Sequence, residues 1–168
     1  MIILGPPASG KTGLALRLAA ELSRPVLCKD DVKEALFDVL GSTDREGSRR
    51  FSEAALAAVL RMARTQLCAG SCCLIEGNFT RNHAAALREI LGASQASAAQ
   101  ILCSAPLPEL ERRFAARVRH PGQLDDVGGA FDFRLERADF DEVERILAEE
   151  IHDPVGPEFM APPETAGA

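Results

Sequence analysis

The 168-residue sequence contains no tryptophan and no tyrosine. This absence removes two of the side chains on which nucleic-acid bases and sugar rings usually stack. Cations are also scarcer than anions, since 19 lysines and arginines stand against 25 aspartates and glutamates, for a formal net charge of −6. Because a protein that binds long nucleic-acid tracks needs a basic surface, this balance argues against such a function.

The chain also lacks a C-x-x-C pair and any apolar run of transmembrane length. Four of its five cysteines lie in apolar, strand-like runs, so we expect buried free thiols in a reducing compartment. The three histidines are isolated from one another and from the cysteines, which argues against a metal site of these residue types. No signal peptide is apparent, and we expect a cytoplasmic protein that makes no contact with a membrane.

Apolar runs alternate with segments of helical period, a pattern typical of repeated βαβ units. We predict one α/β domain over residues 1–151, with a doubly wound, parallel, five-stranded sheet and helices on both faces, followed by a loosely ordered, proline-rich tail at 152–168. The predicted strands span residues 1–4, 25–28, 71–76, 99–104 and 131–135. The predicted helices span 11–22, 32–40, 51–69, 82–91, 107–118 and 140–151, with a polar loop at 42–50 and Gly41, Gly70 and Gly92 just past three helix ends.

The motif GPPASGKT at positions 5–12 matches G-x-x-x-x-G-K-S/T, with an apolar run before it and a helical segment after it. Gly5 and Gly10 let successive backbone N–H groups curl around a phosphate at the start of a helix. Lys11 is predicted to reach the β and γ phosphates, and the Thr12 hydroxyl to complete the shell of a Mg²⁺ ion. We therefore expect a P-loop NTPase fold with an ATP site made by Gly5, Pro7, Ala8, Ser9, Gly10, Lys11, Thr12 and Gly13.

A pair of carboxylates, Asp30 and Asp31, follows the second predicted strand, at the edge where open α/β sheets collect ligands. Asp31 and Glu34 form D-x-x-E, a capping pair for the next helix. Asp30 is then the candidate base that takes the proton of an acceptor hydroxyl, and the alternative is a solvated loop aspartate. Lys33, one helical turn further on, either points at the same cleft or is solvated.

The third predicted strand ends in one acid, Glu76, which glycine rather than a second acid follows. An apolar run ending in an acid is typical of the second nucleotide-binding motif, and the missing second acid favours transfer to an acceptor over hydrolysis. Asn78 and Arg81 follow at the rim of the cleft. Asn78 either hydrogen-bonds a substrate hydroxyl or closes the turn. We assign to the acceptor side Asp30, Lys33, Glu76, Asn78 and Arg81.

An arginine-rich segment, PLPELERRFAARVRH, spans residues 106–120. Arg113 and Arg117 are four residues apart and share one face of the predicted helix. One interpretation is a short helical lid over residues 107–128, hinged at a glycine-rich segment, in which Arg117 first and Arg113 second contact the ATP phosphates. The other is a solvated helix in which Glu109 pairs with Arg113.

With these residues, the chain resembles the small P-loop kinases of the polynucleotide 5′-kinase and zeta-toxin type, an AAA-like group that also includes antibiotic phosphotransferases. The resemblance covers about residues 1–120. KDDVK is similar to the R-D-D-Y-R segment of phage polynucleotide kinases, which implies Asp30 as the general base and Lys33 in the place of an acceptor-side arginine. LIEGNF resembles a strand ending in Asp-x-Asn, and APLPELERRFAAR resembles a lid segment, with Arg113 and Arg117 on the lid arginines.

We therefore expect an ATP-dependent kinase that transfers the γ-phosphoryl group to a hydroxyl of a small or medium-sized acceptor. One alternative acceptor is the 5′-hydroxyl of an RNA or DNA end, and others are a nucleotide sugar or an antibiotic. An alternative of another class is a nucleotide-dependent switch or ATPase without an acceptor. The lack of an N-K-x-D motif argues against a GTP switch. The aromatic residues near the predicted acceptor side are Phe37, Phe51 and Phe79.

Overall fold

The computed structural model describes residues 1–41, 44–79, 81–116 and 120–121, and for Arg81 it describes the backbone alone. Strands alternate with helices along these residues, which confirms the α/β class. The strands are β1 (Ile2–Leu4), β2 (Val26–Cys28), β3 (Leu74–Gly77) and β4 (Gln100–Leu102). The helices are α1 (Lys11–Leu22), α2 (Lys29–Leu40), α3 (Arg45–Cys68), α4 (Ala84–Ser94), which a 3₁₀ turn (Arg81–His83) precedes, and α5 (Leu107–Ala116).

The sheet is parallel, with the strand order β2-β3-β1-β4. The chain leaves β1 toward β2 on one side and leaves β3 toward β4 on the other. The carboxyl ends of β1 and β3 therefore form the switch point at which such sheets bind ligands. The described residues hold four strands rather than five, and the predicted strand at 131–135, the helix at 140–151 and the tail at 152–168 lie outside them.

Alternate residues of β1 pack against opposite faces of the sheet, as a doubly covered parallel strand requires. Ile2 and Leu4 share a core with Val59 of α3 and Leu87 of α4. Ile3 packs on the other face, where α1 supplies Ala15 and Leu18. The prediction of helices on both faces is therefore confirmed.

Helix α2 begins at Lys29, three residues before its predicted start, because β2 joins it without a loop. Its N-cap is Cys28, so the predicted capping pair of Asp31 and Glu34 is wrong. Asp30 and Asp31 instead occupy the first turn. Negative side chains are favourable there, because the N-terminal end of the helix dipole is positive.

Helix α3 begins at Arg45, so most of the predicted polar loop at 42–50 is helical. The Asp44 side chain caps this helix by accepting a hydrogen bond of 2.7 Å from the Gly47 N–H. Arg49 pairs with Glu46 and Glu53 along the exposed face, and such pairs stabilise a polar helical turn. Because a capped and charge-paired helical turn has the same polar composition as a loop, the sequence predicted a loop over this segment.

The described residues bear on three smaller expectations. Gly41 and Gly70 follow the ends of α2 and α3 with positive φ, as predicted, but α4 runs through Gly92 and ends with Gln95 as its left-handed cap. All five cysteines are free, yet Cys68 and Cys72 are exposed rather than buried. Among the described helices, none combines the length and the apolar character needed to cross a bilayer.

Candidate functional site

The loop between β1 and α1 has the curled backbone that its glycine motif predicts. Positive φ angles occur at Gly5 (150°), Ala8 (62°) and Gly10 (91°), which turns the backbone toward the start of α1. Gly5 also lies against the segment after β4: a Cβ atom at this position would stand 2.2 Å from the backbone oxygen of Cys103. The loop is therefore held between two neighbouring strands, at the positive end of a helix.

This packing predicts that Gly5→Ala destabilises the fold by about 3 kcal/mol, because the clash is with backbone that a rotamer change cannot relieve. Gly10→Ala is the matched control, since nothing lies within 4 Å of its added Cβ and only the positive φ is unfavourable. We expect this control to lose about 1 kcal/mol. Urea unfolding measures both losses, and equal losses would contradict the packing argument.

Lys11 and Glu76 form a buried ion pair at the switch point. The Lys11 side chain is 7% exposed and that of Glu76 is 1% exposed, with 3.7 Å between Lys11 Nζ and Glu76 Oε1. Lys11 also donates a hydrogen bond of 3.4 Å to the Pro6 carbonyl. Burial raises the pKa of Glu76, and the charge of Lys11 opposes that rise. The predicted phosphate lysine thus has a buried carboxylate as its partner in this structure.

Oxygen atoms at this point fit a magnesium–nucleotide complex. Both Glu76 oxygens and the Ser9 hydroxyl are buried and make no close hydrogen bond among the described residues, although Thr12 and Cys28 lie near enough to Glu76 to oppose the rise of its pKa. The exposed Thr12 hydroxyl lies one residue beyond Lys11. Mg²⁺ typically takes one or two protein oxygens and completes its shell with phosphates and water. Within the described part of the chain, no cluster of three His, Cys, Asp or Glu residues is present that would hold a metal.

Asp30 lies in the first turn of α2 with three lysines acting on its charge. Its Oδ1 is 3.1 Å from Lys29 Nζ, and its side chain is 32% exposed. Burial by itself would raise the pKa of Asp30, but Lys29, then Lys11 and Lys33, hold it below its usual value. Asp30 is therefore a partly exposed residue of the helix whose ionised form the lysines favour, and it does not lie in a loop as the alternative has it.

The other two acids at the end of β2 and β3 have different surroundings. The Cys28 thiol lies between them: burial, followed by the charges of Glu76 and Asp31, raises the pKa of Cys28 to about 12. Asp31 is exposed and acts on this thiol. Of these two adjacent aspartates, Asp30 forms an ion pair with Lys29, and Asp31 acts on Cys28.

The structure gives different outcomes for the other residues predicted on the acceptor side. Lys33 is 1% exposed, so the solvated alternative is wrong. Asn78 is half-buried, and its side-chain oxygen is buried without a hydrogen bond among the described residues, which does not support the turn-closing alternative. Arg81 begins the 3₁₀ turn, and its side chain lies outside the description. Phe79 is 1% exposed in the core, so it is not available for stacking.

Helix α5 packs on the phosphate loop by its apolar face. Leu110 and Phe114 form a small core with Ala8 of the loop. On the polar side, Arg113 Nε donates to Glu109 Oε1 over 2.6 Å, which is the pairing of the solvated-helix interpretation. Bonds from Arg112 and Arg113 lower the pKa of Glu109 to about 2. The predicted lid helix therefore adjoins the phosphate loop, while Arg117 lies outside the described residues.

Sequence reasoning missed Lys29, which contacts Asp30 directly. The signal was available, because lysine occurs only three times in the whole sequence, at positions 11, 29 and 33. All three of these lysines lower the pKa of Asp30. Apart from the histidines and the terminus, every other cationic residue of the chain is arginine. The three lysines thus all lie where they act on Asp30.

A phosphate loop at the switch point of a parallel sheet, with the buried acid Glu76 one residue before the end of β3, is an arrangement found in P-loop kinases. The chain matches the AAA domain family over residues 1–132, and it belongs to that family. The crystal structure of a "putative kinase" from Chloroflexus aurantiacus has a TM-score of 0.71 and 33% identity, covering 80% of this chain and 73% of that one. The expected P-loop kinase fold is confirmed, and the polynucleotide-kinase or zeta-toxin subtype stays a prediction.

Two further similarities are weaker. A sugar kinase from Janibacter sp. HTCC2649 has a TM-score of 0.50 and 19% identity, covering 90% of this chain and 94% of that one, which shows a shared fold alone. A stretch of 45 residues is 47% identical to the aldo-keto reductase YhdN of Bacillus subtilis strain 168, covering 27% of this chain. The match spans 14% of the reductase, so it says nothing about a shared activity.

Proposed function

We propose that this protein is an ATP-dependent kinase that transfers the γ-phosphoryl group to a hydroxyl of a small or medium-sized acceptor. The observation that carries the proposal is Asp30, a carboxylate kept ionised by lysines at the carboxyl edge of the sheet, beside the phosphate loop. A kinase needs such a group within reach of the acceptor hydroxyl. The 33% identity to a structure named as a kinase gives further support.

The donor half of the proposed site is the loop at residues 5–13. Its backbone N–H groups and the start of α1 bind the ATP phosphates, and Lys11 turns from Glu76 to the β and γ phosphates. Mg²⁺ bound at Thr12 neutralises phosphate charge when it is present. Because Lys11 is already buried at the switch point, little of its side chain has to be ordered when ATP binds.

The acceptor half is built around Asp30. Its carboxylate accepts the proton of the acceptor hydroxyl as the oxygen forms a bond to the γ phosphorus, and the bond from that phosphorus to the β–γ bridging oxygen breaks. The electron pair of that bond leaves with ADP, and Asp30 later releases its proton to water. In this proposal Lys33, Asn78, Glu76 and Arg81 orient the acceptor. Arg117 and Arg113 stabilise the transferring phosphate, and Arg113 first has to leave Glu109.

A phosphoryl-transfer screen with γ-labelled ATP and Mg²⁺ tests the proposal. The panel contains 5′-hydroxyl oligonucleotides, nucleosides, sugars and aminoglycoside-like alcohols. We expect label to pass to an acceptor of the small-molecule arms, and ATP consumption to depend on that acceptor. Transfer to the oligonucleotides alone would replace the small acceptor with a nucleic-acid end. Hydrolysis without any acceptor, or nucleotide-dependent assembly on a sizing column, would contradict the kinase assignment and support a switch or ATPase.

A further inference from the structure

We infer that Lys29 is a positioning residue that holds the Asp30 carboxylate toward the cleft, and that Gly77 lacks a side chain to make room for it. This inference rests on the proposed role of Asp30 as the base. Residues adjacent on a helix do not normally face each other, yet Lys29 Nζ lies 3.1 Å from Asp30 Oδ1. The Lys29 side chain is 12% exposed, which is unusual for lysine.

The stem of Lys29 is confined by the next strand. A Cβ atom built on Gly77 would stand 3.1 Å from Lys29 Cβ and 3.6 Å from the ring of Phe79. A Cβ atom at position 77 would therefore push Lys29 Cβ away by a few tenths of an ångström, while its distance to Phe79 is an ordinary contact. Phe79 is 1% exposed in the core and has little freedom to move. Because Gly77 ends β3 beside the start of α2, this close approach limits where the Lys29 Cβ atom can lie.

Among the described residues, charged groups of α1, α2 and β3 act on this pair. Asp30 faces Lys29 and Lys33 of α2 and Lys11 of α1, and Asp30 in turn raises the pKa of Glu76 at the end of β3. In the 3₁₀ turn before α4, burial and then the charge of Lys29 lower the pKa of His83. Among the lysines, Lys29 opposes the effect of burial on Asp30 most strongly.

The contribution of Lys29 becomes larger when ATP is bound. Lys11 is then occupied by phosphate, so its charge is compensated and acts less on Asp30. Lys29 is directed to Asp30 instead of the phosphate loop, and it remains as the contacting cation. A base that must be ionised to accept a proton depends on that cation most at low pH. The dependence of kcat on pH therefore reports on Lys29.

The test compares kcat against pH for Lys29→Met, Lys29→Arg and Gly77→Ala in the full chain, with ATP and the acceptor found by the screen. In the Lys29→Met variant, loss of the cation raises the pKa of Asp30. We expect the acidic limb of the profile, where kcat falls at low pH, to move up by about one pH unit. We also expect kcat at neutral pH to fall about tenfold, with KM for ATP unchanged. Lys29→Arg keeps a cation and should leave the limb in place. Gly77→Ala should move the limb upward although Lys29 is still present.

The outcomes separate this inference from the proposed function. A purely structural role for Lys29 would lower the melting temperature and the active fraction without moving the limb, and would overturn the inference. An unmoved limb in Gly77→Ala would overturn it as well, and this variant decides the matter if Lys29→Met does not fold. If Asp30→Asn retains full transfer activity, Asp30 is not the base, and the proposed function is contradicted at that step together with the inference that rests on it. If Asp30→Asn is inactive and the acidic limbs of Lys29→Met and Gly77→Ala stay in place, only the inferred role of Lys29 is wrong.

Discussion

Replacing Asp30 with asparagine is expected to lower kcat for phosphoryl transfer by about 10²–10⁴-fold, the usual contribution of a general base. Asparagine keeps the size of the side chain but accepts no proton at neutral pH. The ATP phosphates are bound by the loop at residues 5–13, so KM for ATP should stay within about twofold. Steady-state kinetics over a range of ATP and acceptor concentrations separates the two parameters.

Asp31→Asn is the matched control for this variant. It makes the same chemical change one residue further along the first turn of α2, and it removes the same charge from the helix N-terminus. Asp31 is exposed and acts on the Cys28 thiol. We expect it to keep kcat within about threefold. Equal losses in the two variants would mean that the charge at the helix start matters, and that Asp30 is not the base.

The phosphate loop was predictable because its information is local. The spacing of Gly5, Gly10 and Lys11 dictates a turn followed by a helix, and α1 spans residues 11–22 as predicted. The start of α2 was not predictable in the same way. Asp31 and Glu34 satisfy a capping pattern, but an acidic first turn uses the same residue types, and only the direct junction with β2 decides between them.

The electrostatics of the site depended on contacts between distant parts of the chain. Lys29 is confined by Gly77, and Lys11 pairs with Glu76, because β3 lies between β1 and β2. Lys33 is buried, although a lysine on a predicted helix usually remains exposed. No pattern along the sequence reports the strand order. The pairing of Arg113 with Glu109 was also not decided by the sequence. The same spacing suits both a solvated ion pair and a lid that contacts phosphate.

The second large effect is expected from Lys11→Met. Transfer should fall by about 10²–10³-fold, because the cation that stabilises charge on the transferring phosphate is lost. The fold should lose stability as well, since the variant leaves the Glu76 carboxylate buried without its partner. Breaking a buried ion pair from one side typically costs about 3–5 kcal/mol, and protonation of the remaining acid reduces that loss. Activity and stability therefore fall together in the single variant.

The pH dependence of the lost stability identifies its cause. Burial raises the pKa of Glu76 in the folded protein above its unfolded value, and Lys11 opposes this rise. A group with a raised folded pKa destabilises the fold as pH increases through that pKa. Without Lys11 the folded pKa is higher still, so the deficit of Lys11→Met relative to the wild type should be larger at pH 8 than at pH 5. Urea unfolding without nucleotide or metal measures it.

The double variant Lys11→Met with Glu76→Gln separates the two roles of Lys11. Glutamine at position 76 has no charge to bury, so most of the lost stability should return and the deficit should no longer depend on pH. Transfer activity should not return, because the phosphates still lack their cation. Should the double variant be as unstable as Lys11→Met at pH 8, the Glu76 charge would not be the cause. If it regained transfer, Lys11 would not be the phosphate lysine.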